Sequence, residues 1–255
     1  MYDIRRFTMK DMAVCSGVLR TLGSGASSME DAAVGIVRHL YENLIDGETG
    51  QKALTLIRFF KTHAYKDLDA ELQAFAVKML GGPATSPEMK CLTMLASAGL
   101  EKSWNDRHIS QGHKALPLPY EGFIEKFPMV RQLIQQFGLE VNTVLKPNPK
   151  VLLDMSQRTY NVFFVPDAVG SEYVPPQKDF VIPYGVRCVL GFGGALPSGN
   201  IFAIIMFPTV QLSDRVADMF RTLALSVKLA VLPFDGGKIF SPQVGEPNSL
   251  AVAKE

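Results

Sequence analysis

The sequence predicts an α+β domain in which an antiparallel β-sheet of five or six strands carries helices packed on one face. Three observations predict it. Residues 180–207, FVIPYGVRCVLGFGGALPSGNIFAIIMF, read as strand, tight turn and strand. The stretch after them repeats its apolar residues at three and four, as one long helix does. Upstream, two strand-length apolar runs, residues 53–60 and 90–97, are separated by a helical stretch that ends in a Gly-Gly-Pro breaker.

Taken in order, residues 10–45 are helical in period, with Met12, Val14, Val18, Leu19 and Leu22 before a Gly-Ser break at residues 23–28. Ser28 suits the N-cap of the second helix. Glu30 and Asp31 fall in its first turn, and Ala33, Ile36, Val37, Leu40 and Leu44 form an apolar stripe ending before Asp46-Gly47. Residues 53–60, ALTLIRFF, read as a buried strand whose only charge is Arg58. Residues 67–80 return to helix, and residues 90–97, KCLTMLAS, are the second strand.

Residues 99–120, GLEKSWNDRHISQGHKALPLPY, lose all periodicity and hold the only Trp and two of the four His, so a long functional loop is expected. Residues 127–137 read as a short helix with Pro128 in its first turn and Gly138 at its end. Residues 141–150 are expected to be extended, residues 162–165 a third strand, and Pro175-Pro176 a loop. No repeat or low-complexity linker divides the chain. Residues 1–234 are therefore expected to form one domain, including the N-terminal helices, and residues 235–255 a flexible tail.

Within residues 180–194 the even positions Ile182, Tyr184, Val186, Cys188, Leu190 and Phe192 are bulky, whereas Gly185, Gly191 and Gly193 are odd. Alternation at period two sends the two sets to opposite faces, one packing a core and one pared down for close approach of a helix, a backbone or a ligand. Arg187 falls on the pared face, where a surface ion pair beside a twisted strand and a pocket role are both open. Leu196-Pro197-Ser198-Gly199-Asn200 supplies turn chemistry, so the strands on either side are antiparallel. Ser213 caps the last helix. Its stripe of Val216, Ala217, Phe220, Leu223, Ala224, Val227 and Val231 covers the sheet, and Met219, Leu225 and Leu229 widen it towards a second surface such as a dimer mate.

Composition excludes several classes. At 255 residues, 47% hydrophobic and 20% charged, the chain has ample core for one large domain. Lys and Arg total 26 against 25 Asp and Glu, and no basic cluster interleaved with aromatics appears, so nucleic acid is not an expected partner. The apolar run at residues 201–207 is strand-sized and the last helix carries Arg215, Arg221 and Lys228, so neither is expected to span a membrane. The opening MYDIRRFTMKDM lacks the apolar run of a secretory signal. Cys15, Cys91 and Cys188 are widely spaced without a CxxC pair and read as reduced thiols of a cytoplasmic protein.

Motifs for catalysis are missing. HExxH, GxSxG and a GxGxxG between strand and helix are absent, and Gly236-Gly237-Lys238 is followed by Ile239 where a phosphate-binding loop needs Ser or Thr. His63, His108 and His113 could do chemistry, but the last two do not share a helical face and a metal site would need tertiary assembly. Hydrogen-bonded loop histidines are the favoured reading, as is Trp104 as a loop anchor over the sheet.

Four stretches carry a family resemblance: RFFKTHAY (residues 58–65), SWNDRHISQGHKALPLP (103–119), FPMVRQLIQQFGLEV (127–141) and the residues 180–207 quoted above. They resemble the GAF domain, the profilin-like antiparallel-sheet sensor fold related to PAS. More narrowly, they are similar to the N-terminal sensory segments of bacterial histidine kinases and GGDEF-type cyclases. The resemblance implies a regulatory module, commonly dimeric, with helices on one sheet face and a pocket on the other. Such domains can hold tetrapyrroles, but no haem-attachment motif is present and no cofactor is assigned. Only a short polar segment follows Phe234, so the expectation is a sensor acting on a separate output partner or a piece of a longer chain.

The expected function is therefore a cytoplasmic signal-transduction sensor that binds a small molecule and relays through its terminal helices to an output domain or partner, a histidine kinase or cyclase being one such output. Ligand contacts are expected from His63, Trp104, His108, His113, Tyr184, Arg187 and Cys188. Strand parity sets Tyr184 and Arg187 on opposite faces unless a bulge intervenes, and the charge of Arg187 favours an anionic or carbonyl-bearing ligand. Two alternatives stand beside it. One is a ligand-free docking or dimerisation module; the other is an enzyme on this frame using Cys188, disfavoured because no neighbouring His or second Cys would lower the thiol pKa.

Overall fold

Caps and breakers set the element ends. Thr8 and Asp11 form a reciprocal capping box for α1 (Met9–Thr21), and the Ser28 hydroxyl accepts from the Asp31 amide to open α2 (Met29–Asn43). Asp69 caps α3 (Ala70–Leu80), which stops at Gly81 with φ 71°. Ser213 caps α7 (Asp214–Val231). The computed structural model describes residues 1–110, 112–145 and 160–241.

The main sheet has six strands: β3 (Leu54–Ala64), β4 (Lys90–Gly99), β5 (Ala115–Leu118), β6 (Tyr160–Val165), β7 (Val189–Ala195) and β8 (Ile201–Pro208). Their order is β5-β4-β3-β8-β7-β6 and every pairing is antiparallel. The expected hairpin is present, with Leu190 opposite Met206 and Ala195 opposite Ile201. Gly199, at φ 81°, sits in its turn, and the Leu196 amide donates to the Asn200 carbonyl at 2.8 Å. A separate parallel pair, β1 (Tyr2–Asp3) with β2 (Leu44–Ile45), ties the N-terminus to the end of α2. Leu44 therefore leaves the helical stripe for a strand.

Sheet parity sorts the core into layers. Ile57, Phe59, Ala96, Ala98, Leu190, Phe192, Phe202 and Ile204 face α1, α2 and α7, where Phe220 and Leu223 meet them. Fully burying each such large side chain stabilises by about 1.5–3 kcal/mol. The helix α3 covers the β5 end of that face over Cys91 and Ala115. Helices were expected on one face. The long ones are there, but α4 (Glu121–Ile124), α5 (Pro128–Gln136) and α6 (Val141–Leu145) pack on the other, over Leu56, Phe163, Ile205 and Phe207.

Four local expectations are corrected. Residues 180–187 are not strand. Phe180 and Val181 donate to the Pro176 carbonyl and Ile182 to that of Gln177, making a wide helical turn, which Gly185 closes at φ 64°. The Gln177 side chain locks the turn by bonding the Gly170 amide and the Ala168 and Val174 carbonyls. The loop at residues 99–120 contains the edge strand β5, whose Pro117 needs no N–H on the outer side. Residues 141–145 form α6 in place of extended chain, and residues 146–150 lie outside the described residues. Residues 235–241, expected to begin a flexible tail, lie against α2: the Met29 and Glu30 amides donate to the Lys238 and Ile239 carbonyls at 3.0 and 2.9 Å. Residues 242–255 are outside the described residues.

Candidate ligand-binding site

The segment between β4 and β5 wraps the β4 edge and touches both faces of the sheet. Gly99 and Asn105 fix its start: the Asn105 side chain accepts from the Gly99 amide and donates to the Gly99 carbonyl, both at 3.0 Å. That turn lays Trp104 on the face opposite the long helices. A Cβ added at Gly99 would meet the indole at 2.8 Å, so glycine is required for so close an approach. Trp104 then packs against Tyr184 at 4.8 Å and Phe180 at 5.7 Å between ring centroids, and Phe180 meets Phe207 edge-on at 5.0 Å. The Tyr184 hydroxyl donates to Glu101 at 3.1 Å.

Beside this aromatic wall lies Arg58, on the same face as Leu56 and directly between Ser97 of β4 and Ile205 of β8. Its Nη2 donates to the Ser110 hydroxyl at 3.2 Å, and the backbone of Gly112 seals over it, where an added Cβ would stand 2.7 Å from Nη1. Burial lowers the pKa of the guanidinium to about 10. Among the described residues, neither its Nε nor the buried Ser97 hydroxyl has a hydrogen-bond partner. His113 follows in the same loop, edge-on to Phe127 at 6.2 Å. Although His113 keeps a solvent-facing edge, the surrounding protein and then the Arg58 charge hold its imidazole below the ordinary value.

The same loop sends Arg107 to the other face. There its Nε and Nη2 donate to the two Glu30 carboxylate oxygens at 2.5 and 3.1 Å, and its guanidinium lies 5.2 Å from the Phe240 ring. The Ser241 amide donates to Glu30 at 3.0 Å, so residues 235–241 and the loop share one anchor on α2. At its start this segment holds the β7–β8 turn, with Asp235 accepting from the Ser198 amide and hydroxyl at 2.9 and 2.7 Å.

The seven expected contacts are split by this architecture. Trp104, Tyr184 and His113 come to the face opposite the long helices. His108 lies at the edge, 3.9 Å from Glu30 and 3.8 Å from Glu71. His63 is on the helix face, 5.3 Å from the Phe240 ring, with neither ring nitrogen hydrogen-bonded among the described residues. Burial first, and then the charge of Lys61, hold its imidazole well below the ordinary value. Cys188 is buried in the helix-face core, its thiol against the Val210 carbonyl at 3.4 Å and pushed up to about 12 by burial. Arg187 is exposed and off the strand, bonded through its backbone to Pro208 and Ala168. The cation covered on the face opposite the long helices is Arg58, half-buried there, which the sequence had marked only as the one charge in an apolar strand.

None of the seven lines the open cleft of about 490 Å³ between α2 and the end of β4, which is bordered by Arg38, Tyr41, Glu42, Lys52 and Asn105. Among the described residues no three His, Cys, Asp or Glu side chains are placed to hold a metal ion, and no helix is long and apolar enough to cross a membrane.

No protein-family model matches the chain, and no curated protein matches it. Solved structures do. A GAF domain/HD domain protein from Geobacter sulfurreducens aligns at 15% identity and a TM-score of 0.43, covering 82% of this chain and 95% of that one. The N-acylhomoserine lactone dependent LuxR family transcription factor CepR2 from Burkholderia cenocepacia aligns at 11% identity and 0.40, covering 88% and 96%. The phycoerythrobilin-bound GAF domain of a cyanobacterial phytochrome aligns at 8% identity and 0.40, covering 87% and 97%. GAF domains stand among the solved structures to which this chain is similar.

Proposed function

We propose that the protein is a small-molecule sensor of signal transduction that binds its ligand on the sheet face opposite the long helices. It acts by binding and not by catalysis. One observation carries the reading: the β4–β5 loop is bonded on one face to Arg58 and on the other to Glu30 through Arg107. A ligand that displaces Ser110 and Gly112 from Arg58 pulls on the segment that also holds the N-terminus of α2 and residues 235–241. The relay then runs through the helix layer to an output partner such as a histidine kinase or cyclase in the cytoplasm.

The test is native mass spectrometry of freshly purified protein, followed by Trp104 fluorescence against a metabolite set. Added mass, and a change in emission on adding the compound it identifies, are expected. No added mass and an unresponsive Trp104 across the set would sink the sensor reading.

A second reading has its own observation. Leu225 and Leu229 on α7 are 41% and 44% exposed, one helical turn apart, beside α1 with Val14 also exposed. A docking module that dimerises through this surface needs no ligand, and the two readings are compatible if the dimer is what transmits the signal.

A further inference from the structure

We propose that Arg58 is the anchor for a carboxylate-bearing ligand, taken side-on by its Nε and Nη2 with the Ser97 hydroxyl as a further donor. The inference rests on the sensor reading and names the chemistry of its ligand.

The protein itself shows what that edge of an arginine takes. Arg5 gives Nε and Nη2 to the two oxygens of Asp46 at 2.7 and 3.3 Å, and Arg107 gives the same pair to Glu30 at 2.5 and 3.1 Å. Arg58 offers the same edge to no carboxylate among the described residues. Its Nε is bare and its Nη2 is met by a neutral serine hydroxyl on the loop. A guanidinium stays charged at neutral pH, and although Arg58 as a whole is half-buried, its Nε is shielded from solvent, where an N–H without an acceptor is costly.

Around it, the supporting groups fit one ligand shape. Ser97 stands directly across the β3–β4 ladder on the same face, its hydroxyl buried and unpartnered, so side chains there are about 4.5–5.5 Å apart at Cβ. Two planar oxygens match the parallel N–H pair of the fork, which is why arginine recognises carboxylates bidentately. On either side Leu56, Ile205 and Trp104 supply apolar surface, which suits a short hydrocarbon body attached to the carboxylate. Ser110 occupies the place of the second carboxylate oxygen, so entry of the ligand replaces the loop's own bond to Arg58.

Propionate is the probe, with propionamide as its neutral isostere, inorganic phosphate as a tetrahedral anion and sodium chloride holding ionic strength constant. The parent is compared with Arg58→Met, Arg58→Lys and Ser97→Ala by thermal unfolding. At about ten times its dissociation constant, propionate should raise the parent's melting temperature by about 3–6 °C. Propionamide and phosphate should not, and Arg58→Met should lose the response. Without any probe, Arg58→Met should melt above the parent, because a shielded N–H without an acceptor has gone. Arg58→Lys, which keeps the charge and loses the fork, should respond weakly, and Ser97→Ala should respond less than the parent.

The proposal is overturned by no propionate response in the parent, a larger response to phosphate, full responses in Arg58→Lys and Ser97→Ala, or an Arg58→Met protein that melts below the parent without probe. Equal responses to propionate and propionamide, kept in Arg58→Met, also overturn it while leaving the sensor reading intact. The sensor reading itself fails on the separate mass and fluorescence experiment.

Discussion

Arg107 and Glu30 form a buried ion pair with two hydrogen bonds that fastens the β4–β5 loop to the first turn of α2. The pair joins segments 77 residues apart in sequence and also receives the Ser241 amide. It therefore makes a three-way junction of loop, helix and C-terminal segment.

Removing one partner should be far worse than removing both. Arg107→Met leaves the Glu30 carboxylate buried with the Ser241 amide, and the His108 ring 3.9 Å away, in place of the guanidinium, and such breaks cost about 3–5 kcal/mol. The double variant Glu30→Leu with Arg107→Met leaves no buried charge and should recover most of that loss. Urea unfolding of the three proteins gives the coupling directly. Single variants within about 0.5 kcal/mol of the parent would show that water already reaches the pair.

Lys61 sets a pH dependence with a definite sign. It is almost fully buried on the helix face, and burial lowers its pKa from 10.5 to about 8, with Asp235 as the main opposing influence. Since the folded value lies below the unfolded one, the unfolded chain binds more protons between pH 8 and 10.5. Stability must therefore rise with pH across that window. Cys15, Cys91 and Cys188, each raised from 9.0 to about 12, act in the opposite direction above pH 9. They are common to the parent and to Lys61→Met and cancel in the comparison. The gap between the two proteins should shift by about 3 kcal/mol in the parent's favour from pH 7 to 10.5, read by urea unfolding at each pH. A constant gap would place the Lys61 ammonium in contact with water.

What could be read in advance, and what could not, divides along the range of the interactions. The β7–β8 turn is written into Pro197 and Gly199, and the starts of α2 and α7 into Ser28 and Ser213, because a cap or turn acts within four residues. Residues 180–187 misled because their bulky residues alternate, whereas the winning contacts come from Pro176 and from the Gln177 side chain, which reaches back to Gly170. The site was harder still. Arg187 and Arg58 are both lone charges in apolar runs, and only the return of the loop at Ser110 and Gly112 decides which is covered. Likewise His63 and Trp104 look equivalent in sequence but fall on opposite faces, because β3 continues four residues beyond the expected Phe60.

Gly193→Ala should be among the most damaging single-methyl changes available. An added Cβ would stand 2.1 Å from the Phe202 carbonyl oxygen and 2.9 Å from the Phe137 ring. The first neighbour is ladder backbone, which cannot turn aside as a side chain could. Overpacking of this kind costs about 1–3 kcal/mol, and here the upper end or beyond is expected, with the β7–β8 pairing strained. Thermal unfolding and amide exchange of Phe202 and Ala203 measure it. A change under about 0.5 kcal/mol would mean that the two strands part more easily than their register implies.

The surface of α7 leads to a prediction about assembly. Its inward stripe, Val216, Phe220, Leu223 and Val227, is buried against the sheet, and Met219, expected to point outwards, also packs against that core. Leu225 and Leu229 remain outside, with Leu232 37% exposed at the end of the helix. Two leucines four residues apart lie on one helical face, and the adjoining α1 adds Val14, so the exposed apolar groups gather on neighbouring helices. A two-fold pairing of α7 with its copy would bring each Leu225 and Leu229 against the same residues of the partner, as self-complementary interfaces require. Sedimentation at micromolar concentration should show a dimer for the parent. Leu225→Glu with Leu229→Glu should give a monomer of unchanged circular dichroism, since neither side chain belongs to the buried core and like charges would then face each other. A monomeric parent, or a dimer that survives both charges, would confine α7 to its role as cover for the sheet.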